Sequence, residues 1–408
     1  MLKREKILFV GPYPPPFGGI ASHLKDLLPQ LSNKGYEVLS LTWSNENQVS
    51  QNEGFKNLYR SPKIFLFKNI FHVLIKFIQC LLYKKDAKIV PFFRAVNNAC
   101  LINSVCEKEE IPSIFIYDNE NGMVIPILKN TFKPKASVAF MIFGDFYLRP
   151  NFYKAQSKYF SDALYQSDYI LSSSQYCANS ISEVFGRDDL KADVIYVGVD
   201  HNTYNPEILG NEVRSENEIP SNGTVLLFLG RMVKEMGLDF LLENIDKLLS
   251  VDENLYVIIG GAEGNLSQQV SQSANNNKRI KYCPNIPFGK KAAYYSASDI
   301  IIAPSMEKHA CMGVTIKEAM ACGKPVIGST SGGIPEAIED GLNGYLIPIQ
   351  SGYLDLEIVL TKTKYLIDNP HARKQMGKIG RTKVLEKFTN EQTTLKYLSL
   401  LEKMLEPS

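Results

Sequence analysis

The sequence predicts an α/β protein of two Rossmann-like, doubly wound domains facing each other across a cleft. Short apolar runs alternate with amphipathic helical stretches, the pattern of parallel strands joined by crossover helices. The runs are rich in Ile, Val, Phe and Tyr without strict alternation, as strands buried on both faces require. The pattern occurs twice, and 408 residues exceed what one ordinary core fills.

In the first half, strands are read at "KILFVG" (6–11), "YEVLSLT" (36–42), "SIFIYDN" (113–119), "ASVAFMIFGD" (136–145), "DYILSSS" (168–174) and "ADVIYVG" (192–198). "IASHLKDLLPQLSNKG" (20–35) is the first helix, ended by Gly35. The stretch 199–223 is polar, turn-rich and without periodicity, which suits a linker. The second half repeats the series with "TVLLFLG", "LYVIIGG", "RIKYC", "DIIIAPS", "KPVIGS" and "GYLIPI". The domains expected are therefore 1–205, an acceptor-side domain, and 224–385, joined by a linker at 206–223. The amphipathic end of the chain, 386–408, is expected to return to the first domain.

Composition is that of a globular protein, 45% hydrophobic and 22% charged. Seven cysteines without a C-x-x-C pair argue against a disulfide framework or zinc site and fit a reducing cytoplasm. The amino-terminal "MLKREKILFVGPYPPPFGG" has too few apolar residues for a signal peptide. Residues 1–100 hold 14 Lys and Arg against 6 Asp and Glu, within a chain of net charge +2. That bias suggests an anionic partner, such as a phospholipid surface, a lipid diphosphate or an acidic saccharide. Nucleic acid is not expected, since no aromatic-interleaved basic stripe is present.

Within that basic part, "KIFLFKNIFHVLIKFIQCLLYKK" (63–85) sets Lys68, His72, Lys76 and Gln79 as a narrow polar stripe on an apolar helix. The lysines interrupt it too often for a spanning helix. Two readings stand: a buried helix packed on a sheet, or contact with the inner face of a membrane.

Three places carry chemistry. Gly18 and Gly19 stand directly before a helix, where backbone amides are free for an anion, although a tight turn has the same form. Arg231 follows a strand, with Lys234 three residues on; a guanidinium grips phosphate oxygens bidentately, or is simply a solvated loop charge. Gly313 leads the helix "VTIKEAMAC", so the amides of Gly313, Val314 and Thr315 would point at an anion. Glu318 lies far enough inside to accept ribose hydroxyls; otherwise it is a surface acid paired with Lys317 or Lys324. No two aspartates stand two apart, so diphosphate charge would fall on Arg, Lys and helix ends rather than a metal.

In order, "GPYPPPFGGIASHLKDLLPQLSNKGYEV", "VGVDHNTYNP", "FLGRMVKEMGLDFLLE" and "APS…GVTIKEAMACGKPVIGSTSGGIPEAIEDGLNGYLI" resemble successive motifs of the retaining glycosyltransferases of family four. The resemblance is weakest between about 45 and 110. It implies the two-domain GT-B fold and a nucleotide-diphosphate sugar as substrate, with no metal or other cofactor. It further implies a saccharide or lipid-linked acceptor, in cytoplasmic polysaccharide or glycolipid assembly. Gly19 and Arg231 would then hold the diphosphate, Glu318 the ribose, and the amides after Gly313 the remaining phosphate oxygens.

The chain departs from the family at three positions. Two glutamates eight apart are usual, and here Ala310 precedes Glu318, with Glu307 three residues earlier. A lysine usually stands just before Gly237, where this chain has Met236. A His-Gly pair is replaced by Phe143-Gly144, followed by Asp145. Lys234, Glu307 or His309, and Asp145 are the candidate substitutes. The competing expectations are a weakened or non-catalytic protein that binds saccharide or a partner transferase, or other chemistry on the same fold, such as epimerisation or phosphorolysis.

Overall fold

The computed structural model describes residues 5–406 except 14–18, 46, 53, 84–88, 118–119, 156, 309 and 351. The chain divides into two units, 1–196 with 393–408, and 197–392.

The N-terminal unit holds an eight-stranded sheet. Its strands are β1 (Lys6–Val10), β2 (Glu37–Trp43), β3 (Gln48–Asn52), β4 (Phe55–Arg60), β5 (Ser113–Ile116), β6 (Ser137–Ile142), β7 (Tyr169–Ser172) and β8 (Asp193–Val194), in the order β3-β4-β2-β1-β5-β6-β7-β8. All pairings are parallel except β3 against β4. The expected strands are present. The edge pair β3–β4 was not foreseen, because "QVSQN" and "FKNLYR" lack the apolar density of a two-sided strand. Helix α1 (Gly19–Asn33) opens at the carboxyl end of β1. Helices α2 (Pro62–Tyr83) and α3 (Ile89–Glu109) pack on each other, and α2 kinks at Asn69, whose φ and ψ are −126° and 22°.

Helix α2 is neither fully buried nor fully exposed. Val73 and Cys80 are buried and Phe65, Leu66 and Phe77 pack against the core. Phe67, Ile70, Phe71, Leu74, Ile75 and Ile78 face outward. The expectation of a helix buried on a sheet therefore holds for one face only.

The C-terminal helix (Asn390–Leu405) returns to the N-terminal sheet as expected. Tyr397 lies against Phe9, Phe115 and Tyr117, and its hydroxyl is hydrogen-bonded to that of Tyr117. Thr394 Oγ1 donates to Gln30 Oε1 at 2.9 Å, and Ser137 Oγ donates to the Met404 carbonyl at 3.0 Å.

The C-terminal unit holds an all-parallel sheet of β9 (Thr224–Leu229), β10 (Leu255–Gly261), β11 (Ile280–Pro284), β12 (Ile300–Ala303), β13 (Val326–Ser329) and β14 (Gly344–Ile347). Its order is β11-β10-β9-β12-β13-β14, so the direction of winding reverses between β9 and β12. In open α/β sheets that switch point opens a crevice at the carboxyl ends of the strands.

The stretch 206–223, expected as a linker, is part of this unit. Asn211–Glu216 form a short helix. Arg214 donates to the carbonyls of Ala297 and Gly223 at 2.8 and 2.9 Å and to Asp299 Oδ2 at 2.7 Å. Polar composition signalled a loop, but a half-buried guanidinium fixes it to the starts of β9 and β12. Arg214→Ala is expected to cost about 2 kcal/mol, the scale of charge-assisted bonds lost from a half-buried site. The check is the urea midpoint, which would stay unchanged if 206–223 were a free tether.

Candidate functional site

The switch point gathers most of the sequence-derived candidates. The loop after β9 carries Arg231 and Lys234, and the loop after β12 carries Glu307 and leads to Gly313. Hydrogen bonds join these loops to their neighbours. Ser305 Oγ donates to the Glu235 carbonyl at 2.9 Å, and Ser329 Oγ donates to the Ser305 carbonyl. Ser331 Oγ donates to the Glu307 carbonyl at 2.8 Å, and the Gly333 amide to the Ala310 carbonyl at 2.9 Å. Gly237 permits a close approach. Its φ is +74°, and a Cβ there would stand 2.1 Å from the Pro304 carbonyl oxygen.

Arg231 is exposed at this edge, and its guanidinium makes no hydrogen bond or ion pair with the described residues. Lys234 is 72% exposed and stands 3.6 Å from Asp239. Arg231 is thus available to an anion, while Lys234 is shared with the half-buried Asp239. Helix Val314–Ala321 starts at Gly313, whose φ of +76° turns the chain into it. No side chain caps that helix and no acid occupies its first turn. Its leading amides, at Val314 and Thr315, thus keep the capacity to bind a negative charge. Glu307 is half-buried in the adjoining loop.

The structure excludes the surface pairing for Glu318. That residue is 3% exposed and pairs with neither Lys317 nor Lys324. Lys291 Nζ donates to both carboxylate oxygens at 2.7 Å, and the Tyr295 hydroxyl donates to Oε2 at 2.7 Å. Burial, then the Glu318 charge beside it, raises the Tyr295 phenol well above its ordinary range, so it remains a donor. Lys291 also lies over the rings of Tyr204 and Phe288, at 5.7 and 5.5 Å. Three of about four acceptor positions on the carboxylate are occupied, which leaves room for one further hydroxyl. Lys291 and Tyr295 were missed in the sequence; their one signal is the four-residue spacing that puts both on one face of helix Lys291–Ala297.

Lys317, next to Glu318, is buried, donates to the Val197 carbonyl and lies 5.8 Å from the Phe388 ring centroid. Burial lowers its pKa to about 8.

In the N-terminal unit, Gly19 is exposed at the start of α1, with nothing within 4 Å of an added Cβ. Gly18, the side chain of Asp145 and His309 lie outside the described residues; Asp145 begins the short helix Asp145–Leu148 just after β6. Phe143 is buried beside Tyr117, ring centroids 6.1 Å apart. A separate cavity of about 560 Å³ opens at the carboxyl ends of β2 and β4. Trp43, Lys63, Leu66, Arg94, Asn97 and Asn98 are among its lining residues. It joins an aromatic face, two cations and side-chain amides, a set suited to a sugar or an anionic group.

Residues 211–383 match the family described as Glycosyl transferases group 1. Across 405 residues the chain is 25% identical to an uncharacterized glycosyltransferase of Methanocaldococcus jannaschii, covering 98% of each. It is 26% identical to the D-inositol 3-phosphate glycosyltransferase of Thermobifida fusca over 225 residues, 52% of this chain and 50% of the relative. Sucrose-phosphate synthase from Thermosynechococcus elongatus superposes with a TM-score of 0.78 at 16% identity, covering 99% of this chain and all of that one. Anabaena HepE in complex with UDP and glucose gives 0.74 at 17% identity, covering 98% of this chain and 100% of HepE. The two Rossmann-like sheets are thus those of the GT-B fold.

Two outcomes are expected from the buried lysines. Lys291→Met leaves Glu318 charged and under-paired, and should destabilise the chain by about 2–3 kcal/mol. Adding Glu318→Gln should recover a large part of that loss in a thermal double-mutant cycle. Lys317 is the second case. Between its lowered pKa of about 8 and the ordinary 10.5, the unfolded chain holds a proton that the folded chain has released. Stability of the native sequence should therefore rise with pH across that window relative to Lys317→Met. Thermal midpoints of both proteins at about pH 7 and about pH 9.5 check the sign.

Proposed function

We propose that this chain is a glycosyltransferase that moves a sugar from a nucleotide-diphosphate donor to a saccharide or lipid-linked acceptor with retention, without a metal. The observation that carries the reading is the meeting of exposed Arg231 with the uncapped amides of helix Val314–Ala321 at the switch point of the second sheet. The match of residues 211–383 to the group 1 transferases supports it. So does the ordered run of motifs that resembles family four.

In this scheme Arg231, Lys234 and the leading amides of the helix hold the diphosphate. One hydroxyl of the ribose reaches the remaining acceptor position of Glu318. The bond from the anomeric carbon to the diphosphate oxygen breaks, and the acceptor oxygen bonds to the same face. The acceptor proton passes to the departing diphosphate, so no side-chain nucleophile is needed. The protein orients both substrates and stabilises the leaving charge. The cavity beside Trp43 and Arg94 takes the acceptor, in cytoplasmic polysaccharide or glycolipid assembly.

The apolar residues at Ala310, Met236 and Phe143, together with the enclosed Glu318, favour one second reading: a weakened transferase-fold protein that binds saccharide or a partner transferase.

UDP, GDP or ADP is expected to raise the melting temperature, and Arg231→Ala to remove the shift. With the matching sugar nucleotide, the same variant should lose roughly 10²–10³ in transfer rate. Activity should survive EDTA, and NMR of the product should show the donor's anomeric configuration. Donor binding without hydrolysis or transfer selects the second reading, and the absence of any nucleotide shift overturns the donor-using reading.

A further inference from the structure

The outward face of α2 is unpartnered in a way its charge explains. Beyond the kink at Asn69, Ile70, Phe71, Leu74, Ile75 and Ile78 recur at the spacing of one helical face, and Phe67 continues it on the other side. Phe67 is 86% and Phe71 81% exposed. Contiguous apolar surface of this kind marks an interaction site. Beside it runs the polar stripe of Lys68, His72, Lys76 and Gln79, and the opposite face is anchored in the core through Val73 and Cys80.

The 22 residues of α2 include Lys63, Lys68 and Lys76 and no Asp or Glu. Exposed Arg94 of α3 lies near its first turn, across the cavity that Lys63 also lines. Among the described residues no helix is long and apolar enough to cross a membrane. An apolar stripe with lysines at its rim is instead the pattern of a helix that lies in a bilayer interface, its cations reaching the head groups.

We propose that the N-terminal unit docks on an anionic phospholipid surface through this face of α2. Charge complementarity selects that occupant over a second copy of the chain. An isologous pairing of two such faces would bring the lysines of both helices together with no carboxylate on either. Anionic head groups neutralise those same lysines while the rings enter the acyl boundary. The docking does not depend on the transfer reading, since it rests on α2 alone.

The test is flotation of the full chain with two vesicle compositions: phosphatidylcholine alone, and phosphatidylcholine with an equal part of phosphatidylglycerol. The chain is expected to float with the anionic vesicles and to be released by salt. Phe67→Ser with Phe71→Ser should weaken partitioning by about tenfold or more, because two ring insertions are lost. Both rings are already exposed, so its thermal midpoint should be unchanged. Lys63→Gln and Lys68→Gln should each weaken it by about fivefold. A folded chain that stays with the buffer overturns the proposal, as does equal binding to neutral vesicles or unchanged flotation of the double Phe variant. A concentration-dependent dimer in gel filtration, lost in that variant, would overturn it in favour of the second copy.

Discussion

The side-by-side pairing of β9 and β12 is the constraint on which the candidate site depends. Ile300 lies opposite Leu226 and Ile301 opposite Leu227, and both strands end at the same edge. Two loops of unrelated sequence must then leave the sheet within hydrogen-bonding distance of each other. The polypeptide answers that crowding with small residues. Gly237 lets the backbone at Pro304 close in, and Ser305, Ser329 and Ser331 donate to carbonyls of neighbouring loops. With the loop backbones so fixed, the leading amides of helix Val314–Ala321 hold their places without an ordering step, which makes binding less costly.

Charge is sorted by depth at this edge. Arg231 and Lys234 stand in solvent, while Glu318 is enclosed with Lys291 and Tyr295. A buried carboxylate without donors would be untenable, and Lys291 with Tyr295 supplies three. The consequence is electrostatic as well as structural. With Glu318 neutralised locally by Lys291, its charge does not oppose Arg231 and the helix amides at this edge.

Much of this was legible in the sequence. Two-sided strands announce themselves by apolar density, so both parallel sheets and the edge carrying Arg231 and Gly313 could be placed from composition and spacing. The returning C-terminal helix was legible from its amphipathic pattern. What escaped shares one cause: partners distant in sequence. Nothing local says that Arg214 meets Asp299, or that Lys291 meets Glu318 across 27 residues. A polar run therefore reads as a linker, and nothing near Glu318 in sequence announces Lys291 and Tyr295 as its partners. The β3–β4 edge was invisible for a different reason, since edge strands need only one apolar face and its residues lack even that regularity.

Helix α2 marks the limit of periodicity as evidence. Its sequence has apolar residues on two faces and a polar stripe between them, and a period of 3.6 locates faces without saying what covers each. The structure assigns one cover, the core at Val73 and Cys80, and leaves the other face open. The first turn of the same helix, at Lys63 and Leu66, forms a wall of the cavity beside Trp43 and Arg94. The kinked helix thus has three duties: closing the core, shaping a cavity and presenting apolar side chains outward. A helix anchored in the core cannot turn its outer face inward to hide it, and no described residue covers those rings. Because that outer face and the cavity wall share a backbone, whatever surface orients the helix also orients the cavity's lining, which ties access to the cavity to the setting in which the helix is held.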